Sequence, residues 1–112
     1  MVDLTSRRDA FENRFAHEEM LRFKAIARRN KLIGLWAAEQ LRIFGFEAEE
    51  YAKSVVLVGF EEFGDDDVVR KIVLDFEAAG NTTTEIEVRR VLDQLSLRAM
   101  DEIKSGERPR IG

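Results

Sequence analysis

The chain has no cysteine, one histidine, one proline and no long apolar run. Each scarcity removes a class of function. Without cysteine there is no disulfide staple, no thiolate nucleophile and no Cys-based metal site, and a reducing compartment suits the chain. With His17 alone, a catalytic zinc site held by two or three histidines cannot be assembled. The single proline, Pro109, lies in the last few residues, so no proline interrupts a helix before it. No apolar run approaches the roughly 18 residues of a membrane span. The N-terminus lacks the apolar segment of about 7 to 15 residues that marks a secretory signal. The expectation is a soluble cytoplasmic protein with no direct membrane insertion.

What is present is charge and helix-forming side chains. Charged residues make up 36% of the 112, yet apolar residues still reach 45%, enough to support one folded domain. The net charge of -4 is unevenly spread. Residues 1–38 carry eight Lys/Arg and five Asp/Glu, giving +3. Residues 39–67 carry two against nine, giving -7, and residues 68–112 carry eight against eight. A basic first third, 1–38, beside an acidic middle, 39–67, argues against nucleic-acid binding, which needs a net basic surface. It suits an arm that meets an acidic protein or folds back on its own body.

Periodicity predicts four helices. In the first, Phe23, Ile26, Ala27, Ile33, Ala37 and Leu41 share a face, widened by Leu32, Leu35 and Trp36. Ser6 is the candidate cap, and Gly45 the candidate left-handed stop. The second runs from about Glu47 to Glu62 on Ala48, Tyr51, Ala52, Val55 and Val56. Ser54 to Val58 is β-branched enough for a strand, but the glutamates at its start favour a helix through the dipole. Asp65, Asp66 and Asp67 open the third, striped by Val68, Val69, Ile72, Val73 and Phe76 and closed by Gly80. Thr82 to Glu85 reads as a capping box for the fourth, striped by Val88, Val91, Leu92, Leu95, Ala99 and Ile103. Trp36 is the expected main core anchor. The fold class is therefore all-α, a small four-helix bundle with a mobile N-terminal arm. The arm covers 1–19, the bundle 20–104 and a disordered tail 105–112.

Candidate chemistry is sparse. His17-Glu18-Glu19 lacks the second histidine of a zinc-protease helix and reads as exposed helix, or as a pH-sensitive spot, since histidine titrates near neutrality. Three consecutive aspartates do not share a helix face, so helix capping suits them better than Mg²⁺ or Ca²⁺. Arg28-Arg29-Asn30-Lys31 could meet phosphate or an acidic partner, although a solvated face is the simpler reading. Asn30 falls on the apolar stripe, where a polar residue can set helix register. No glycine loop cradles phosphate, and no metal or cofactor is expected. What stands out is Arg7 to His17. Phe11 and Phe15, four apart, form a narrow apolar strip flanked by Arg7, Arg8 and Arg14. That pattern suits a partner's groove, or an ordinary first turn packed on the bundle.

Several pieces resemble one family: Asp9-Ala10-Phe11-Glu12 with Phe15-Ala16-His17, then Ala27-Arg28-Arg29-Asn30-Lys31-Leu32 with Gly34 and Trp36-Ala37-Ala38. Tyr51-Ala52-Lys53 and Asp67-Val68 followed by Arg70-Lys71 belong to the same pattern. The chain resembles the zeta subunit of alphaproteobacterial F-type ATP synthase, an inhibitor of the catalytic head. The resemblance implies a four-helix bundle and no enzymatic activity. It implies an N-terminal segment that enters the catalytic interface between the alpha and beta subunits, with the gamma subunit also a partner, and blocks ATP hydrolysis. By position, Arg7, Arg8, Phe11, Arg14, Phe15 and His17 would lie in that segment. It places the protein in the cytoplasm, peripheral to the inner membrane through the ATP synthase. The alternative is a helical sensor that binds a small molecule or nucleotide without inhibiting anything.

Overall fold

A computed structural model describes the backbone of residues 4–62 and 64–107, with side chains over 14–60 and 64–106. It has four helices: α1 Leu4–Gln40, α2 Phe46–Glu62, α3 Asp65–Ala78 and α4 Glu85–Glu107. No described residue is in a strand. The β-branched run Ser54 to Val58 lies within α2, whose first turn carries Glu47 and Glu49 where the dipole favours them.

α1 is the spine. It packs along α2 on one side and α4 on the other, while α3 lies against α2 and α4 and meets α1 at few positions. The core gathers Ile33 and Ala37 of α1, Val55 of α2, Val68, Val69, Ile72 and Phe76 of α3, and Val88 and Leu92 of α4. These are the positions that the 3.6-residue period selects, so burial follows patterning.

Two expectations about the core are corrected. Phe76, not Trp36, is the largest wholly buried side chain. Trp36 is half-buried at the rim and meets Phe76 edge-on, with centroids 5.7 Å apart and ring planes at 67°. Phe23 is 49% exposed, although periodicity put it on the buried face. α2 ends at Glu62, and the α2–α3 connection leaves Phe23 at the edge of the bundle. It borders a small cleft with Ile26, Phe60 and Gly64.

The helix ends also differ in detail. α1 stops before Gly45. The Ile43 N–H donates to Ala38 O at 2.8 Å and the Arg42 N–H to Glu39 O at 3.1 Å. This is a Schellman ending with Arg42, at φ 59°, in the left-handed position. Gly45, at φ 65°, instead leads into α2, where its carbonyl accepts from the Glu49 N–H. Gly80, at φ 72°, does close α3: Asn81 N–H donates to Phe76 O at 2.8 Å and Gly80 N–H to Glu77 O.

α4 is capped by Thr84 rather than Thr82. The Glu87 N–H donates to the Thr84 hydroxyl, two residues later than the expected box. The turn before it is set by Asn81, whose Oδ1 accepts from both the backbone N–H and the hydroxyl of Thr83. Ser6 lies inside α1, which is already helical at Leu4. At the other terminus α4 continues to Glu107, past the boundary expected at residue 104, so 105–107 are helical rather than disordered. The remainder of the expected tail, 108–112, lies outside the described residues.

Candidate docking surface

Residues 4–19 form the first half of α1, continuous with the half that enters the core. Sixteen helical residues span roughly 24 Å, and they contribute to a molecule 68 Å in its longest dimension. Arg14, Phe15, Ala16, His17 and Glu18 are all exposed, with Phe15 at 60%. Full burial begins only at Ala25. The side chains of Arg7, Arg8 and Phe11 lie outside the described residues, although their backbone is helical. Helical spacing puts position 11 one turn from Phe15 on the same side. Of the six residues singled out from the sequence, Arg14, Phe15 and His17 are thus placed in solvent on a helix that leaves the body.

The two charge clusters of the body are engaged in ion pairs, most of them between helices. Arg28, Arg29 and Lys31 each reach a different helix. Arg28 pairs with Glu102 of α4 at 3.2 Å, Arg29 with Asp65 of α3 at 2.9 Å, and Lys31 with Glu49 of α2 at 3.8 Å. Arg29 corrects the expectation of a solvated face, because it is only 8% exposed. Its Nε and Nη2 donate to Oδ1 of Asn30, itself 1% exposed. The aspartate trio diverges likewise: Asp65 to Arg29 of α1, Asp66 to Arg89 of α4, Asp67 to Arg70 within α3. N-cap Gly64 has no side-chain cap, so these carboxylates serve cross-helix pairing as well as the dipole. Among the described residues, no group of three His, Cys, Asp or Glu side chains could hold a metal ion.

Asn30 has a further role. It packs against Gly59 of α2, where a β-carbon would collide with its amide. A polar side chain matched to a bare backbone holds the α1–α2 register, as the stripe position of Asn30 suggested.

A polar triad lies between α2 and α3. The Tyr51 hydroxyl donates to Asp75 Oδ2 at 2.7 Å, Lys71 donates to the same oxygen at 3.0 Å, and its ammonium lies 5.1 Å from the Tyr51 ring centroid. Burial first, then the hydrogen bond to Asp75 and its charge, push the Tyr51 pKa above the usual tyrosine value. The phenol is therefore a structural donor. On α4, the Arg98 hydrogen bond holds the Glu102 carboxyl below its usual range, helped by the Arg98 and Arg28 charges.

An open groove runs along α1 between α2 and α4, floored by Leu32 and Leu35 and walled by Val56 and Ile103. Its basic edge includes Arg28 and Lys31, which are already held by Glu102 and Glu49. No described helix is long and apolar enough to cross a membrane.

The first half of α1 thus stands exposed over Arg14–Glu18 on a bundle whose helices are joined by cross-helix ion pairs. A solved structure, determined by solution NMR, is 43% identical, with a TM-score of 0.67, covering 77% of this chain and 98% of that one. No curated protein matches. The model of the family described as ATPase inhibitor subunit zeta matches residues 1–102, and the chain belongs to that family.

Proposed function

We propose that this protein is a non-catalytic regulatory subunit that stops ATP hydrolysis by the F-type ATP synthase. The unit 1–19 is the inhibitory arm and 20–104 the bundle that holds it. The arm docks at the interface between the alpha and beta subunits, beside gamma, and wedges there while ATP is being hydrolysed. The observation that carries this reading is the helix of Arg14 to Glu18, exposed on every residue and continuous with a core helix. Exposed aromatic side chains on a rigid stem suit an apolar pocket on a partner. Phe11 and Phe15 fill such pockets; Arg7, Arg8 and Arg14 pair with acidic groups and speed encounter.

An isolated helix of about 15 residues that buries little apolar surface is marginal in water. The arm therefore gains helical order from its continuity with the body and from the partner. Deleting residues 1–19 tests the reading. The truncated protein keeps the bundle's cooperative unfolding and loses inhibition of ATP hydrolysis by catalytic heads. A truncated protein that inhibits as well as the full chain overturns the proposal.

A further inference from the structure

The end of the bundle farthest from the arm is built against the preferences of a free surface. There the α1–α2 turn leaves Phe44 69% and Phe46 77% exposed, and the first turn of α4 leaves Ile86 79% exposed. The same end receives both turns, because Asn81 Nδ2 of the α3–α4 turn donates to Gln40 O at the close of α1. The two phenylalanines do not sit on a fraying loop. They flank Gly45 and follow Arg42, both left-handed, in a turn tied by the Schellman bonds of α1.

The charge around them is mainly acidic, although exposed Arg42 lies in the same turn. Glu39, Glu47, Glu77 and Glu87 are exposed, and no ion pair reaches them among the described residues. Glu47 and Glu87 stand in first helical turns, where the dipole favours them. Glu39 and Glu77 stand in the last turns of α1 and α3, where it disfavours them and where neither helix carries a base. Helix stability thus accounts for half of the collar only. Exposed aromatics in a held turn inside an acidic collar are the features of a contact patch.

We infer that this end is a second docking surface, for a positively charged protein surface with an apolar pocket, and that this surface is on the catalytic head that the arm engages. The inference rests on the proposed function for the identity of the partner. Acidic collars repel each other, so a two-fold dimer through this end is disfavoured, and an anionic lipid surface or nucleic acid is disfavoured for the same reason. A rigid chain gripped at both ends gains avidity without strengthening either contact.

The test is binding of the full chain to immobilised catalytic heads, followed in real time. The triple variant Phe44→Ser, Phe46→Ser, Ile86→Ser dissociates about 10-fold faster or more, with unchanged helical circular dichroism. Glu39→Lys with Glu77→Lys associates more slowly at low salt, and the difference vanishes near about 0.5 M salt. The 1–19 deletion still binds weakly, and adding the triple substitution abolishes that binding. A triple variant that dissociates like the parent overturns the inference. So does light scattering that shows the parent self-associating and the triple variant monomeric, since the occupant would then be a second copy. Failure of the arm reading shows separately, as a 1–19 deletion that still inhibits.

Discussion

Gly34 of α1 lies directly against the backbone of Ala52 in α2: a β-carbon at Gly34 would stand 2.7 Å from the Ala52 Cα. The neighbour is backbone, which cannot swing aside, so the two helices would have to part. A glycine inside a helix costs about 1 kcal/mol relative to alanine, and here the close approach offsets that cost. Gly34→Ala therefore destabilises by about 1 to 3 kcal/mol through overpacking. Gly106→Ala, with nothing near its β-position, stabilises or is neutral. Urea unfolding midpoints of the two variants move in opposite directions, or the Gly34 variant alone moves.

Arg29→Ala removes the Nε and Nη2 donors to Asn30 Oδ1, which is buried. An orphaned buried acceptor costs about 1 to 3 kcal/mol, and the variant loses about that much stability. Asp65→Asn costs less, since the amide still offers Arg29 an oxygen and the position is largely exposed. Denaturant titration of the pair checks the order.

Tyr51 titrates higher in the fold than in the unfolded chain, because burial and Asp75 favour the neutral phenol. The native state thus keeps a proton that the unfolded state releases. The contribution is complete below the unfolded pKa of about 10 and is lost as pH rises beyond it. Tyr51→Phe loses about 1 to 2 kcal/mol at neutral pH with the hydrogen bond to Asp75. It also falls less steeply than the parent above about pH 10. Thermal melts across alkaline pH test the slope.

Phe76→Ala costs about 3 to 5 kcal/mol, as expected for a wholly buried aromatic. Trp36→Ala costs less, because Trp36 is half-buried and loses one edge contact with Phe76 rather than opening a closed cavity. Equal losses on denaturation would place Trp36 in the core.

Within the arm, Phe11→Ala with Phe15→Ala weakens inhibition without lowering the melting temperature, because Phe15 is already in solvent. Charge reversal at Arg7 and Arg8 slows association with catalytic heads more than it speeds dissociation, and the effect shrinks with salt. A lowered melting temperature in the phenylalanine variant would instead mean that the strip packs on the bundle.

Much of this molecule was legible in order of residues alone. The stripes of α3 and α4 were read correctly because an amphipathic helix buries one face whichever neighbour covers it. Gly80 was read correctly because a left-handed ending favours glycine locally. The misreadings at helix ends share a cause. Arg42 rather than Gly45 ends α1, Thr84 rather than Thr82 caps α4, and α4 runs on to Glu107, because helix ends are settled by small local energies that several residues can satisfy.

The tertiary structure alone decided who meets whom. Periodicity places Phe23 and Ile33 on overlapping faces, but only the packing of the other helices determines that Ile33 is buried and Phe23 is not. Sequence shows three bases and three acids in two short runs. Packing alone sends Arg28, Arg29 and Lys31 to ion pairs on three different helices. It also gathers Phe44, Phe46 and Ile86 at one end, though they come from two turns some forty positions apart. The physical reason is range: hydrophobic period and capping are properties of neighbouring residues, whereas burial and ion pairing depend on helices brought together across the chain.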